Sequence, residues 1–293
     1  MQTVKRACKK WLAMSIILAL LISSCGCLSD LVFGRDNHTY IPVNSAQELF
    51  DQIYNSLYAF EPNVYVQTDT YDTFLSYWKE LDSAFALHSV FRGRDVQVLY
   101  KEKNGVCNTE LKMTFNACGQ AMQYLYAKNV KSYPSPEAEE VGNKLLDIVN
   151  TITHDGMSDE EKVHAIHDYL ITRCQYALDK DTATYSTAQI LMEEGMAQCQ
   201  GYAEACTALC LLAGVECRAI SGNSTFGYGE GAHAWCQVKV NSIWYHLDVT
   251  WDDPIPDEPG LIRYDFYLKG DLTMQYTHSW CPYFKECIMD YVS

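Results

Sequence analysis

The strongest constraint on the fold is a pair of strand-like segments separated by only two polar residues. Both segments are rich in β-branched and aromatic side chains, and they span residues 232–240 and 243–251. Asn241-Ser242 between them predict the turn of an antiparallel hairpin. With a two-residue loop, Trp235 faces Asp248 across the hairpin, and His233 becomes the diagonal neighbour of Asp248 on the same sheet face. An imidazole and a carboxylate in those positions are within reach of a hydrogen bond.

A cysteine stands just before a helix-forming segment. From Glu204 to Ala213 apolar residues recur at helical spacing, and Gly214 ends the pattern. Cys199 therefore lies where a loop enters a helix. At that position a helix presents free N–H groups and a partial positive charge, which favour a thiolate and can stabilise a developing oxyanion. This placement makes Cys199 a candidate nucleophile.

Three residues in chain order match the chemistry of a nucleophilic triad. Cys199 would attack, His233 would take the thiol proton and return it to a leaving group, and Asp248 would orient the imidazole and stabilise its cation. A single buried cysteine or strand histidine usually has only a structural role. The combination of all three, each in a suitable element, predicts a Cys–His–Asp active site.

The same residues resemble a known family. The resemblance is to the transglutaminase-like superfamily, in the form found in bacterial surface proteins, and it covers roughly residues 138–293. Its motifs are residues 158–170, 195–203, 233–235 and 248–254. The resemblance implies an α+β fold with a papain-like core, in which the nucleophile helix packs on an antiparallel sheet. It also carries the triad roles onto Cys199, His233 and Asp248.

One position departs from the family pattern. The residue after His233-Ala234-Trp235 is usually Asn in this family, whereas this chain has Cys236. Cys236 points to the opposite sheet face from His233, so no triad residue is lost. The candidates for oxyanion or substrate contacts are Gln198, Tyr176 and Trp235. Packing or loop hydrogen bonding is the alternative role for Gln198 and Tyr176.

The N-terminal segment has the pattern of an export signal. Four basic residues precede about twelve apolar ones, a run too short for an ordinary membrane span. The run ends in Ile22-Ser23-Ser24-Cys25, which resembles a bacterial lipobox and implies that Cys25 carries a lipid. We therefore expect an extracytoplasmic protein that is lipid-anchored to the bacterial cell membrane. An uncleaved N-terminal anchor is the alternative.

Charge limits the possible partners. The chain carries 22 Lys and Arg against 37 Asp and Glu, and its formal charge of −15 argues against nucleic-acid binding, which needs a basic surplus. Removal of residues 1–24 takes away basic residues and no acidic ones, so the mature chain is still more acidic. Anionic lipid would repel such a protein, so membrane attachment rests on Cys25. The expected partner is a protein or peptide substrate at the cell surface.

The chain divides into four predicted segments. These are a signal peptide over residues 1–24, a tether over 25–44, a small α+β domain over 45–131 and a catalytic domain over 132–293. Two helical patterns, at residues 45–57 and 71–81, and a hairpin turn at Asn104-Gly105 mark the small domain, for which we expect a structural or substrate-presenting role. Ser135-Pro136 and a capping box from Ser158 to Glu161 predict helix starts in the catalytic domain.

The thirteen cysteines are an odd number, so at least one of them cannot pair. Cys8 is lost with the signal, Cys25 carries the lipid, and Cys199 must stay free to react. Two of the remaining pairs are candidates for disulfides: Cys107 with Cys118, and Cys281 with Cys287. We expect Cys206 and Cys210 to be small core residues, because two cysteines four apart on a helix are too splayed to bridge easily.

Two groups of residues resemble metal ligands without completing a site. His164 and His167 lie near Asp168 on one helix, but zinc needs three or four converging ligands, so we expect one histidine to be exposed and the other packed. A loop cluster matches no calcium spacing, and turn formation is its favoured role. That cluster consists of Asp252, Asp253, Asp257 and Glu258. We expect no metal and no cofactor.

The function that follows is an exported, lipid-anchored cysteine enzyme. It would form a thioester at Cys199 from a peptide or glutamine amide and pass the acyl group to water or to an amine. We favour hydrolysis over transamidation because nothing in the sequence marks a dedicated amine site. The alternative is a non-catalytic cell-surface binding or adhesion module that retains the transglutaminase-like fold.

Overall fold

The computed structural model describes residues 38–85, 90–178, 180–182, 184–225 and 231–292. The predicted signal segment, the lipidation site Cys25 and most of the predicted tether lie outside these ranges. Within them, no helix is both long enough and apolar enough to cross a membrane.

The contacts within the chain divide it into two units. Unit 1 contains the described part of the chain up to Ser56, together with Pro62–Glu80 and Gly93–Thr114. Unit 2 contains Leu57–Glu61, Leu81–Arg92 and Phe115–Ser293. The chain therefore passes between the units several times. The domain boundary that the sequence predicts at residue 131 stays a prediction.

Unit 1 is built on a four-stranded sheet of order β1-β2-β4-β3. Its strands are β1 (Ile41–Pro42), β2 (Asn63–Thr68), β3 (Arg92–Lys103) and β4 (Val106–Phe115), and its helices are most of α1 (Ala46–Tyr58) and α2 (Tyr71–Phe85). Buried and less buried residues alternate along β2, as expected for a sheet with one covered face. The short strand β1 lies in the predicted tether, where two residues are too few to give a periodic pattern.

The local signals in unit 1 act as the sequence predicts. Ser45 accepts a hydrogen bond from the Glu48 N–H at 3.2 Å, and the Glu48 carboxylate accepts one from the Asn44 N–H at 2.8 Å, so the start of α1 is capped. Asn104 and Gly105 take φ angles of 56° and 73° at the turn between β3 and β4. Both are in the left-handed region that a tight hairpin turn requires.

Unit 2 combines an antiparallel sheet of order β10-β7-β8-β9 with a set of helices. The strands of this sheet are β7 (Cys217–Ser224), β8 (Gly231–Val240), β9 (Ile243–Leu247) and β10 (His278–Trp280). The helices are α3 (Ala117–Met122), α4 (Pro136–Ile152), α5 (Asp159–Arg173), α6 (Ala188–Glu194), α7 (Cys199–Leu212), α8 (Val249–Asp252) and α9 (Asp271–Met274), with a π-helical turn over Gln123–Ala127. Two short strands, β5 (Gln175–Tyr176) and β6 (Met196–Ala197), pair in parallel.

The helix α7 is the centre of unit 2, and it packs on β7 and β8. Eleven of its residues are buried, a distribution typical of a helix that is enclosed on all sides rather than amphipathic. Gly201 is needed in the first turn, because a Cβ there would lie 2.6 Å from the Ala197 Cβ. The predicted fold class is confirmed: the structure is α+β, with the nucleophile helix packed on an antiparallel sheet.

The carboxylate of Glu204 holds α7 to distant parts of unit 2. It accepts hydrogen bonds from the Phe91 N–H at 2.6 Å, from the Asn116 side chain at 2.5 Å and from the Ala188 N–H at 2.6 Å. Glu204 is completely buried. Burial raises the pKa of its carboxyl, and the three donors oppose that rise. A buried carboxylate with three donors fixes the rotation of α7 about its axis.

The predicted helix starts in unit 2 are confirmed. Ser135 caps α4 through a bond from the Ala138 N–H, and Pro136 occupies the first turn. Ser158 and Glu161 form a complete capping box at the start of α5. These caps satisfy backbone donors that would otherwise lack partners, so they define where each helix begins.

Every described cysteine is a free thiol. Neither of the two candidate pairs, Cys107 with Cys118 and Cys281 with Cys287, is bridged in the structure. Cys206 and Cys210 are completely buried, as expected for small core residues. Only Cys199 and Cys281 of the described thiols are partly exposed.

Candidate active site

Cys199 is the first residue of α7, as the sequence predicts. The strand β6, which pairs with β5, ends two residues before Cys199. The N–H groups of Gly201 and Tyr202 donate hydrogen bonds to the Gln198 carbonyl. The N–H of Cys199 itself has no backbone carbonyl partner in the described part of the chain. The thiol is partly exposed, and it lies beside an N–H group that can donate a hydrogen bond to an oxyanion.

The hairpin register that the sequence predicts is confirmed. Cys236 pairs with Leu247 and Val240 pairs with Ile243, so Asn241-Ser242 form the whole loop. Their φ angles of 51° and 68° are those of a two-residue turn. β9 ends at Leu247, and Asp248 follows as the N-cap of α8, where its Oδ1 accepts from the Trp251 N–H at 3.2 Å. The other carboxylate oxygen, Oδ2, is left to face β8.

His233 joins the thiol to the carboxylate. Its Nε2 lies 2.7 Å from Asp248 Oδ2, and its ring also hydrogen-bonds to the Cys199 side chain. His233 and Asp248 are both buried. Burial lowers the pKa of His233, but the Asp248 charge and the hydrogen bonds to Asp248 and Cys199 outweigh it and raise that pKa to about 10. The imidazolium form is therefore the favoured one at neutral pH.

Asp248 is an ionised carboxylate in the core. Burial alone would raise its pKa, but the charge of His233 and the hydrogen bonds from His233 and His278 hold that pKa well below its usual range. An ionised carboxylate can only accept hydrogen bonds, so both imidazoles must donate to it. The structure thus brings together the three residues that the sequence predicts as a triad: Cys199, His233 and Asp248.

His278 is a residue of this site that the sequence reasoning missed. Its Nε2 lies 3.0 Å from Asp248 Oδ2, the same oxygen that His233 uses, and its Nδ1 lies 2.8 Å from the Thr277 hydroxyl. It lies on β10, which has only three residues and comes shortly after the one-turn helix α9. No periodicity or motif marks such a strand, so only the tertiary structure reveals the contact.

Trp235, a predicted candidate for substrate contacts, packs against His233. Its ring stacks against the His233 imidazole with centroids 5.6 Å apart and an interplanar angle of 17°. Its indole N–H donates to His246 Nδ1 at 2.9 Å, and His246 Nε2 lies 2.8 Å from Asp271. Burial lowers the pKa of His246 although Asp271 opposes the change, so this ring is a neutral acceptor. The indole donor of Trp235 is thus already engaged.

The two predicted oxyanion candidates have different surroundings. The Gln198 amide donates to the carbonyls of Ala177 at 3.3 Å and Lys180 at 3.0 Å, which uses both of its N–H groups on a loop. Burial raises the pKa of the Tyr176 phenol well above its ordinary value, and the charges of Cys199 and Asp248 act in the same direction. Tyr176 therefore keeps its proton and can act as a hydrogen-bond donor, and both residues stay candidates for the oxyanion contact.

His164 and His167, which resemble metal ligands in the sequence, differ in exposure as the sequence predicts. His164 is exposed, whereas His167 is completely buried. His167 Nδ1 lies 2.9 Å from Asp168 and its Nε2 lies 3.1 Å from Asp252. Burial lowers the pKa of His167, but the two carboxylates raise it overall. Both ring nitrogens are occupied by carboxylates, so this is a structural ion pair at the base of α8.

The neighbouring acidic residue Asp253 is also buried, which the sequence did not predict for a loop cluster. The Tyr202 hydroxyl donates to Asp253 Oδ2 at 2.5 Å. Asp253 Oδ1 is buried and lacks a hydrogen-bond partner among the described residues. Asp257, by contrast, is exposed and accepts from the Gln175 amide. The predicted acidic cluster therefore does not form one converging set of oxygens.

Three sets of side chains bring possible metal-ligating atoms within 4.8 Å of one another in the described part of the chain. Two of them are the imidazole–carboxylate groups already engaged around Asp248 and around Asp271. The third consists of the buried thiols of Cys206, Cys217 and Cys236. Cys236, the departure from the family pattern, also contacts the Thr207 hydroxyl at 3.4 Å and the Ala203 carbonyl at 3.5 Å, on the sheet face that lies against α7.

The site's geometry agrees with a comparison to known families. The model of one family, described as the transglutaminase-like superfamily, matches residues 146–249, a range that contains all three triad candidates. These residues belong to the transglutaminase-like superfamily. At the level of this family, the match supports a cysteine-based enzyme, and the arrangement of Cys199, His233 and Asp248 agrees with it.

Individual relatives match the chain only in part. Kyphoscoliosis peptidase from Mus musculus is 31% identical over 129 residues, which is 40% of this chain. The Homo sapiens protein of the same name is 31% identical over 125 residues, which is 39% of this chain. The matches cover only 19% of each of these relatives. A solved structure described as a TGase is 13% identical, with a TM-score of 0.36, and its alignment covers 72% of this chain and 59% of that chain.

Proposed function

We propose that this protein is a cysteine acyl-transfer enzyme that hydrolyses peptide or glutamine amides through a thioester at Cys199. The observation that carries the proposal is the position of His233, whose imidazole contacts the Cys199 thiol on one side and Asp248 on the other. A nucleophile, a base and an orienting carboxylate in one contact chain are what nucleophilic catalysis needs.

The proposed reaction begins from a thiolate–imidazolium pair. The Cys199 sulfur attacks the amide carbonyl carbon, and the carbonyl oxygen becomes an oxyanion beside the N-terminus of α7 and the Tyr176 hydroxyl. The C–N bond then breaks, and the leaving nitrogen takes the proton that His233 holds. Water next attacks the thioester while His233 accepts one of its protons, and the carboxylic acid leaves as the thiolate reforms. Asp248 keeps the imidazole oriented and stabilises its cation at each step.

Hydrolysis is the outcome we favour over transamidation. The same thioester can react with water or with an amine, so the triad alone does not select between them. The curated relatives are named as peptidases, and this supports water as the acceptor. The acidic side chain of the triad is not free to bind an amine, because Asp248 is already bonded to two imidazoles.

A glutamine-containing peptide tests the reaction directly. It is incubated with the full chain, with and without a fluorescent primary amine, and the products are identified by mass spectrometry. We expect chain cleavage or ammonia release that disappears in Cys199→Ala. Cys281→Ala is the matched control, because Cys281 is the other partly exposed described thiol, and it should retain activity. Amine incorporation would replace hydrolysis by transamidation as the reaction.

The alternative, a non-catalytic binding module, makes a different prediction for the thiols. If Cys199 is a nucleophile, iodoacetamide should alkylate it faster than Cys281 at neutral pH, and His233→Ala should abolish the difference. A Cys199 that reacts no faster than Cys281, in a protein that yields no product from any peptide, would favour the binding module and overturn the enzyme.

Export and lipid anchoring are also part of this proposal. They are supported by the sequence pattern of residues 1–25. In a bacterial host, the full chain should be found in the membrane fraction, and Cys25→Ala should release it or leave it unprocessed. A soluble wild-type protein without a lipid-modified N-terminal peptide would contradict the anchor.

A further inference from the structure

The sheet of unit 2 brings a second histidine to the triad carboxylate. Residues that pair across neighbouring strands share a sheet face. His233 on β8 pairs with Gly222 on β7, and His278 on β10 pairs with Ser224, two residues further along β7. Gly222 and Ser224 point to the same face, so His233 and His278 do as well. β7 lies between the two histidines, and they meet above it.

Gly222 is what allows the two histidines to meet. It lies opposite His233 in β7, and it has no side chain to fill the space between β8 and β10. A Cβ at this position would collide with the Ser279 backbone carbonyl and contact the Trp235 ring. The absence of a side chain therefore lets β10 approach closely and lets aromatic rings cover the face. The space beside Gly222 is therefore open to the His278 ring.

The hydrogen bonds define what His278 does there. Asp248 Oδ2 lies 2.7 Å from His233 Nε2 and 3.0 Å from His278 Nε2, while Oδ1 accepts from the Trp251 N–H. The carboxylate thus has three donors, and it is completely buried. The donation by His278 uses its Nε2–H, and its Nδ1 lies 2.8 Å from the Thr277 hydroxyl.

We propose that His278 is a positioning residue of the active site, whose Nε2–H holds Asp248 Oδ2 in line with His233. This inference rests on the proposed function of Cys199. Within the described part of the chain, the hydrogen bonds of His278 go to Asp248 and Thr277 and not to Cys199, so it acts through Asp248. Two donors on one oxygen fix the carboxylate's orientation and keep it ionised, and an ionised, fixed carboxylate is what stabilises the His233 cation.

The surroundings of His278 leave few other groups that respond to pH. The rings packed against it are those of His233, Trp235, Trp251 and Phe266, with centroids between 4.7 and 5.5 Å away. The titratable groups that act on it are Asp248, His233 and, more distantly, His246. If substitution of His278 changes the pH dependence of Cys199 alkylation, the change therefore reports on the ionisation of these groups.

Two substitutions separate positioning from packing. His278→Phe keeps an aromatic ring but removes the donor, whereas His278→Gln keeps an N–H donor that can reach Asp248. The rate of Cys199 alkylation by iodoacetamide is measured from pH 4 to pH 9 in the full chain, with Cys281 as the internal reference. We expect His278→Phe to slow the reaction about 10- to 100-fold near pH 6 and to move its acidic limb to higher pH. His278→Gln should restore most of the rate.

Each other outcome has a distinct meaning. If wild-type Cys199 reacts no faster than Cys281, the proposed function itself fails. If wild-type Cys199 is fast and both variants match it at every pH, His278 is not a positioning residue. If both variants are equally slow with equally lowered melting temperatures, the residue serves packing alone, and the proposal is overturned. Nitrogen-15 NMR of labelled histidine provides a check independent of catalysis, because an unprotonated Nε2 in His278 at neutral pH would contradict its donation to Asp248.

Discussion

Asp253 is a buried acid whose ionisation should make the stability of the folded protein depend on pH. Its side chain is buried, one oxygen accepts from Tyr202, and the other oxygen has no partner among the described residues. Burial raises the pKa of Asp253 from 3.8 to about 7, with the charge of Asp257 acting in the same direction and Tyr202 opposing it. The folded state therefore prefers the protonated acid.

We expect stability to fall as pH rises because of this group. The folded protein binds more protons than the unfolded chain between about pH 4 and pH 7, so the free energy of unfolding decreases across that window, by on the order of 2–4 kcal/mol. The contribution is fully present below about pH 4 and is lost as pH rises through about 7. Asp253→Asn cannot ionise, so it should unfold at higher urea concentration than wild type at pH 8.

The control for Asp253 is an exposed acid. Asp155→Asn removes the same charge from an exposed turn and should leave the pH dependence unchanged. Urea unfolding followed by circular dichroism at pH 5 and pH 8 makes the comparison. Equal pH dependence in wild type and Asp253→Asn would show that Asp253 is ionised in the folded protein throughout.

Residue chemistry made part of the site predictable. Cys199, His233 and Asp248 are recognisable because nucleophile, base and carboxylate roles need those side chains and because the hairpin places two of them. His278 and Asp253 carry no such signal, since their roles depend on burial and on contacts between residues far apart in sequence. For the same reason, the engagement of Gln198 with a loop and of Trp235 with His246 appeared only in the structure.

At the scale of elements, a single carboxylate on α7 ties this helix to distant segments of unit 2. Glu204 lies one turn beyond Cys199, and its three donors come from segments far apart in the chain. This arrangement ties the position of the nucleophile to the correct folding of those segments. A helix that is apolar on every side has no amphipathic face to fix its rotation, so the Glu204 contacts supply what packing alone does not.

Glu204→Gln tests this link. The amide that replaces one carboxylate oxygen would direct a donor at another donor, and a buried group would lose its partner. We expect the free energy of unfolding to fall by about 2–4 kcal/mol, as measured in urea, and the alkylation rate of Cys199 to fall with it.

The exposed Glu286→Gln is the matched control, and it should change the free energy of unfolding by less than about 0.5 kcal/mol. An unfolding midpoint for Glu204→Gln equal to that of Glu286→Gln would mean that the amide finds partners as good as those of the carboxylate. The role of Glu204 in holding α7 would then be wrong.

Elements with local signals were predictable from the sequence. The capping residues Ser135 and Ser158 act on N–H groups within their own first turn, so no tertiary contact is needed to place them. The register of β8 and β9 follows from a loop of two residues. The short strands β5, β6 and β10 could not be predicted, because two or three residues show no periodicity and pairing alone defines them.

At the scale of the whole molecule, each of the two units is made of segments that are not continuous in sequence. Leu57–Glu61 and Leu81–Arg92 belong to unit 2, although they are flanked by segments of unit 1. Phe60 and Phe91 in these segments are completely buried, and their rings lie 5.1 Å apart. Such membership depends on tertiary contacts between distant segments, which sequence periodicity does not report.

This division predicts the behaviour of a truncated chain. Residues 132–293 alone would lack Phe60, Phe91 and two of the three donors to Glu204. We expect that fragment to aggregate or to melt without a cooperative transition, whereas residues 38–293 should melt cooperatively. Thermal unfolding followed by circular dichroism makes the comparison. A cooperative fragment whose Cys199 is alkylated at the full rate would instead support an independent domain that begins at residue 132.

The length of the turn at Asn241-Ser242 limits which insertions and deletions this protein can tolerate in evolution. Exposed turns are the usual places where related chains gain or lose residues without harm. Here a single insertion would turn every side chain that follows in β9 to the other face and carry the carboxylate away from its histidine. Homologous chains should therefore keep a turn of two residues here but vary in which residues form it. Their insertions and deletions should lie elsewhere on the surface.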